Sequence, residues 1–125
     1  VDLNFTSINT ALPLLKAERL RPLAVTSAKR ASSMPTLPTL DESGLPGYDR
    51  VGWWGVLAPA GVPKDIIAQL NATIAKAINT PEMKESLNKL GFEPHTSTPE
   101  QFAALIRTEI EQNAKLIKAI GVKAE

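Results

Sequence analysis

The sequence predicts an α/β chain, and three observations carry that prediction. The opening residues alternate apolar and polar, pass into a short helical stripe and reach a second apolar run, which makes a βαβ-like unit. The stretch from Pro35 to Pro63 holds five of the ten prolines and five of the seven glycines, which excludes regular helix there. From Pro63 onward, apolar residues recur at helical spacing.

Taken in order, Val1-Asp2-Leu3-Asn4-Phe5 has the two-residue period of a half-buried strand. Thr6-Ser7-Ile8-Asn9-Thr10 is rich in capping residues, and Ala11, Leu12, Leu14, Leu15 and Ala17 follow as a helix over about 10–18. Pro13 fits that helix only in its first turn. Leu23-Ala24-Val25-Thr26 reads as a buried strand within 22–27, and Arg50 to Ala58 as a crossing strand over 50–58. Pro63 opens a helix over 63–79, with Ile67, Leu70, Ile74 and Ile78 on one stripe. Thr80-Pro81-Glu82 starts the next, over 81–90, and Gly91 ends it. Thr98-Pro99-Glu100-Gln101 is a capping box for the longest helix, 98–120, whose stripe is Phe102, Ile106, Ile110, Ile117 and Ile120.

Composition narrows the function. Hydrophobic residues make up 43% of 125 and charged residues 22%, which is globular rather than disordered. Fourteen basic residues face 13 acidic ones with no run of either sign, so no nucleic-acid surface is expected. The longest uncharged apolar stretch, Val51 to Gly61, is too short to span a bilayer. The first residues carry neither a basic nor an apolar leader region, so no signal peptide is expected in this chain, and without an initiator Met it reads as a processed product or a deliberately cut piece. Cysteine is absent, which removes disulfides and thiol chemistry. Catalytic motifs are missing too: the single histidine, His95, follows Pro94 in a polar loop, and Glu109 and Glu111 point to different helix faces. No catalytic residue, metal site or cofactor is expected.

One segment suits ligand capture. Thr6, Ser7, Ile8 and Asn9 lie where the first strand would end and a helix begins, the usual ligand position in open α/β sheets. A helix N-terminus offers free N–H donors and partial positive charge, which suit a carboxylate. The competing reading is that these residues only cap the helix. Trp53 and Trp54 sit together between Gly52 and Gly55; both are structural anchors, or Trp53 lines a ligand cleft at a domain crossing.

Further residues resemble a known family. Val1-Asp2-Leu3, Phe5, Leu12-Pro13, Lys16-Ala17 and Leu23-Ala24-Val25-Thr26-Ser27 are similar to the tripartite tricarboxylate transporter solute receptors, the Bug-type periplasmic binding proteins. So are Arg30, Glu42, Pro46-Gly47-Tyr48, Trp53, Leu57-Ala58-Pro59-Ala60-Gly61, Pro63, Pro81-Glu82, Gly91 and Pro99-Glu100. The resemblance covers nearly the whole chain. It implies a two-lobed binding protein of the periplasmic type II class that closes over a small carboxylate, of which these residues resemble the C-terminal portion. By the same resemblance, 1–52 belong to the second ligand-binding lobe, 53–62 to a hinge crossing and 63–125 to a helical segment returning to the first lobe. Membrane transporter subunits are the implied partners and the periplasm the implied location. Thr6 stands where many members carry an acid, which weakens any inference toward an amino-acid ligand. Glu18 replaces a usual glycine and Asn113 a usual tryptophan, and both read as surface or packing changes.

The leading expectation is therefore a solute-binding receptor for small organic carboxylates. Its alternatives are an interaction fragment with no ligand of its own and, less favoured, a small α/β enzyme. As an isolated fragment the chain is expected to form a homodimer through the apolar stripes of its later helices.

Overall fold

The computed structural model describes residues 3–122. Four helices form in order: α1 (Ile8–Lys16), α2 (Lys64–Ile78), α3 (Pro81–Lys89) and α4 (Pro99–Ile120). The chain divides into two compact units, one running to Leu57 and resuming over Ala77–His95, the other made of Ala58–Lys76 and the residues from Thr96 on.

The helices fall where capping and periodicity place them. Thr80 and Thr98 cap α3 and α4, accepting from the amides of Met83 and Gln101, and the capping box at Thr98 is complete in both directions. α1 departs from expectation. It begins at Ile8, so Pro13 falls beyond its first turn, where the ring removes the amide that would bond back to the carbonyl of Asn9.

The strands differ from expectation more deeply. The first, over 1–5, lies partly outside the described residues, and residues 3–5 are irregular. Neither 22–27 nor 50–58 forms a strand, so the βαβ-like unit and the hinge strand are not built as ladders. Among the described residues there is one isolated parallel bridge, Val25 to Thr39, and beside it the Arg50 amide donates to the Thr26 carbonyl at 2.8 Å. The physical reason is that strand identity rests on a neighbouring backbone, whereas helix identity rests on the chain's own carbonyls four residues back. Alternating side chains propose a strand; only a partner in register completes it.

The loop of the first unit is organised by side chains instead. Both Glu42 carboxylate oxygens accept from Arg30 Nε, at 2.9 and 3.1 Å, while Arg30 Nη1 reaches the Pro35 carbonyl at 3.2 Å. Glu42 Oε2 also accepts from the Thr39 amide at 2.8 Å, and the Glu42 amide donates back to Thr39 Oγ1 at 3.0 Å. This is the reciprocal pattern of a capping box, here closing a single turn at Thr39-Leu40-Asp41-Glu42. Thr39 is only 1% exposed and, with Val25 and Ala31, makes up the buried set among the described residues. The Thr39 amide and the Arg30 guanidinium hold the Glu42 carboxyl below its ordinary pKa. In the second unit, Asn71 Nδ2 donates to the Ser97 carbonyl at 2.9 Å, fastening α2 to the residue just before the α4 cap.

Two helix ends share one geometry with different residues. After α3, the Gly91 amide bonds to the Asn88 carbonyl and the Phe92 amide to that of Leu87, a Schellman motif with glycine at φ +81°. After α1, the Glu18 amide bonds to Leu15 and the Arg19 amide to Leu14, the same motif with glutamate at φ +56°. Position 18 is thus a backbone position rather than the surface or packing change expected of it. A glycine there adopts the left-handed conformation without a Cβ clash; Glu18 holds it against one.

The surface is large for the chain. It exposes 10286 Å², whereas two separate compact bodies of these two sizes would together expose roughly 7,800 Å². Large apolar side chains are among the exposed ones, Trp54, Val56, Leu57, Ile110 and Ile120 included.

Candidate functional site

The candidate residues Thr6 to Asn9 sit at the start of α1, in the first unit. Ser7 is the N-cap, with the extended backbone that a cap requires (φ −71°, ψ 149°), yet its side chain makes no capping bond. Its hydroxyl is instead 2.9 Å from Thr10 Oγ1. α1 also has no acidic residue in its first turn, whereas α3 has Glu82 and α4 has Glu100. In α4 the arrangement is closed on itself: the Glu100 amide and the Thr98 side chain lower the Glu100 pKa, with a smaller contribution from Lys64. Among the described residues, the first turn of α1 has no acidic side chain of its own and no side-chain cap at its positive dipole end. Ser7 thus holds the N-cap position without a side-chain capping bond.

Other elements fix where this end points. Gly91 lies so close to α1 that an added Cβ would stand 2.9 Å from Ile8 Cγ2, 3.0 Å from the Asn9 amide nitrogen and 3.0 Å from Leu12 Cδ1. The glycine at the end of α3 lets its backbone press against the N-terminal end of α1. Asn9 also borders a shallow hollow of about 330 Å³ with Leu12, Pro13, Lys16, Lys89 and Leu90. Lys89 is paired there with Glu85 at 2.6 Å. Trp53 belongs to the same unit, in an irregular segment, and is 40% exposed. Its neighbour Trp54 is 79% exposed and meets Phe92 edge to face, with ring centroids 6.4 Å apart.

Sequence reasoning found the α1 start but missed its support. Gly91 is recognisable as a helix terminator; its packing against Ile8 lies 83 positions away and has no local signal. The Arg30–Glu42–Thr39 cluster had a signal that went unused, the T-x-x-E spacing of a capping box ahead of no helix. Among the described residues there is no group of three His, Asp or Glu side chains that would hold a metal ion, and no helix is long and apolar enough to cross a membrane.

Comparisons with known proteins bear on the whole chain. A protein of Pseudomonas sp. strain P51, named for the tcbD–tcbE intergenic region, is 40% identical over 118 residues, covering 94% of this chain and 35% of that protein. BugT of Bordetella pertussis is 30% identical over 123 residues, covering 98% of this chain and 38% of its own length. Among solved structures, Rpa4515 of R. palustris with adipate superposes with a TM-score of 0.80 at 37% identity, over 91% of this chain and 38% of that one. The periplasmic binding protein BugD gives 0.76 at 32% identity, over 92% and 39%. MatC from Rhodopseudomonas palustris with bound malate gives 0.67 at 32%, over 84% and 37%. The chain thus spans between about a third and two fifths of the length of these relatives, and its fold is a portion of their α/β binding-protein fold. The model of the family described as the tripartite tricarboxylate transporter family receptor matches residues 1–122, and the chain belongs to that family.

Proposed function

We propose that the chain is the part of an extracytoplasmic solute-binding receptor that grips one carboxylate of a small organic acid for a tripartite tricarboxylate-type transporter. The observation that carries this reading is the open start of α1 in a member of a receptor family: donors and a dipole end with no side-chain cap and no acid in the helix's first turn. Ser7, Asn9 and the first-turn amides donate to the carboxylate, Thr6 adds a hydroxyl, Ile8 holds the turn against Gly91, and Trp53 supplies an apolar wall. Neutral donors suit capture followed by release, because no formal opposite charge has to be broken. Adipate and malate in the two R. palustris neighbours are both dicarboxylates, which supports that ligand class for this chain. A periplasmic location and membrane transporter subunits as partners follow from the same family. Residues 1–52 act as part of the second lobe, 53–62 as the hinge crossing and 63–125 as the segment returning to the first lobe.

The test is calorimetric titration of adipate and malate into a full-length receptor carrying this segment. Each donor lost to a charged group removes about 1.5–3 kcal/mol, so Ser7→Ala with Asn9→Ala should weaken binding at least about tenfold. Unchanged affinity would reduce these residues to helix-starting ones. A second reading, an interaction segment with no ligand of its own, draws on the large exposed apolar surface. It predicts no dicarboxylate-dependent rise in melting temperature for the 125-residue chain itself.

A further inference from the structure

One ring contact in the first unit lies behind the start of α1. Trp54 keeps 79% of its surface exposed, so burial contributes little to holding it. Its ring meets the half-buried Phe92 edge to face, with centroids 6.4 Å apart and ring planes at 79°. Phe92 closes the turn after α3, its amide donating to the Leu87 carbonyl at 3.0 Å. One residue earlier, Gly91 lies against Ile8, the Asn9 amide and Leu12. Trp54, Phe92, Gly91 and the first turn of α1 thus form one contiguous line of contacts, all within the first unit.

We propose that Trp54 is a positioning residue for carboxylate capture, holding the Phe92 turn against which the start of α1 is set. This rests on the reading of the α1 start as the carboxylate grip. Trp54 acts through Phe92 and Gly91 rather than on the ligand. A ring pair of this geometry is directional: the positive edge of one ring meets the negative face of the other, so it fixes an angle as well as a distance. Leucine at either position keeps apolar bulk and loses that direction. Gly52 and Gly55 flank the two tryptophans in an irregular segment, so a ring contact at its centre has backbone freedom to restrict. Such backing decides how well a set of donors is aimed, because a loosely supported site loses binding energy to ordering itself.

The experiment measures adipate and malate affinity by calorimetry, and ligand-free amide hydrogen exchange, on a full-length receptor carrying this segment. Trp54→Leu is expected to weaken binding by roughly two- to tenfold, the span of one aromatic pair. Exchange should quicken by a similar factor at Phe92 and at Ala11, whose amide bonds to the Ser7 carbonyl at 3.1 Å. Trp54→Phe keeps an aromatic ring and is expected to bind within about twofold of wild type. Phe92→Leu should match Trp54→Leu, and the double variant should be no weaker than either alone, because both remove one contact. Should Trp54→Leu not fold, Phe92→Leu must show both effects by itself. Affinity and exchange unchanged in the folded variants overturn the proposal and point to Trp54 as a surface that another part of a full-length receptor covers. Losses that multiply in the double variant overturn it too, since the rings then act separately. Ser7→Ala with Asn9→Ala is measured alongside. If that variant binds like wild type, the grip reading fails and this proposal with it; if it alone is weakened, the grip stands and only the role of Trp54 is refuted.

Discussion

Replacing Glu18 by glycine should stabilise this chain, against the usual direction for a glycine substitution. Glu18 occupies the left-handed position of the Schellman motif that ends α1, at φ +56°. Holding a residue with a Cβ there costs about 1–2 kcal/mol, whereas glycine adopts it without that clash. Glycine also gains freedom in the unfolded chain, which takes back about 0.5–1 kcal/mol. The net expectation is a gain of roughly 0.5–1 kcal/mol, equivalent to about 2–4 °C in melting temperature for a chain of this length. A second contribution has to be separated: a carboxylate near the C-terminal end of a helix opposes the macrodipole by a few tenths of a kcal/mol. Glu18→Ala removes that charge while keeping the Cβ, so the glycine–alanine difference isolates the backbone. Urea denaturation followed by far-ultraviolet circular dichroism on the three proteins gives both comparisons. If Glu18→Gly is no more stable than Glu18→Ala, the left-handed strain does not exist and the argument fails.

Gly91→Ala should act in the opposite sense, because the methyl meets Ile8, Asn9 and Leu12 at 2.9–3.0 Å while the backbone sits at φ +81°; a loss of about 2–3 kcal/mol in the same denaturation assay is expected. Acid should loosen the first unit through Glu42. Its folded pKa is depressed by the Thr39 amide and Arg30, so its contribution is present above the ordinary carboxylate value and lost as the pH falls through the lowered one. The stability of Glu42→Gln should therefore depend less on pH across that acidic window than that of the wild-type chain, as read from denaturation midpoints.

The helices were legible because their signals are local: a capping threonine, a first-turn proline, a stripe at three and four, a closing glycine. All four form, and each boundary falls within two residues of expectation. The strands were not legible at the same level, because Leu23 to Thr26 and Val51 to Ala58 are short apolar runs that become strands only beside a registered neighbour. The Glu18 position shows a third case. The resemblance marks it as a place for glycine, but the reason, a positive φ, resides in the backbone after α1 and in no side-chain pattern. For the candidate site, the α1 start was readable from Thr6-Ser7-Ile8-Asn9-Thr10. That Ser7 turns its hydroxyl toward Thr10 instead of capping could not be read, since both choices suit the same residues.

The contact between Gly91 and the first turn of α1 makes two helix ends share one fluctuation. When the Schellman turn at residues 87–92 opens, the Ile8 and Asn9 amides lose the surface that holds them, and when α1 frays, that turn loses its backing. A carboxylate held by α1 would draw on this reciprocity. By linkage, it would slow amide hydrogen exchange at Gly91 and Phe92, residues it never touches, as well as at the start of α1.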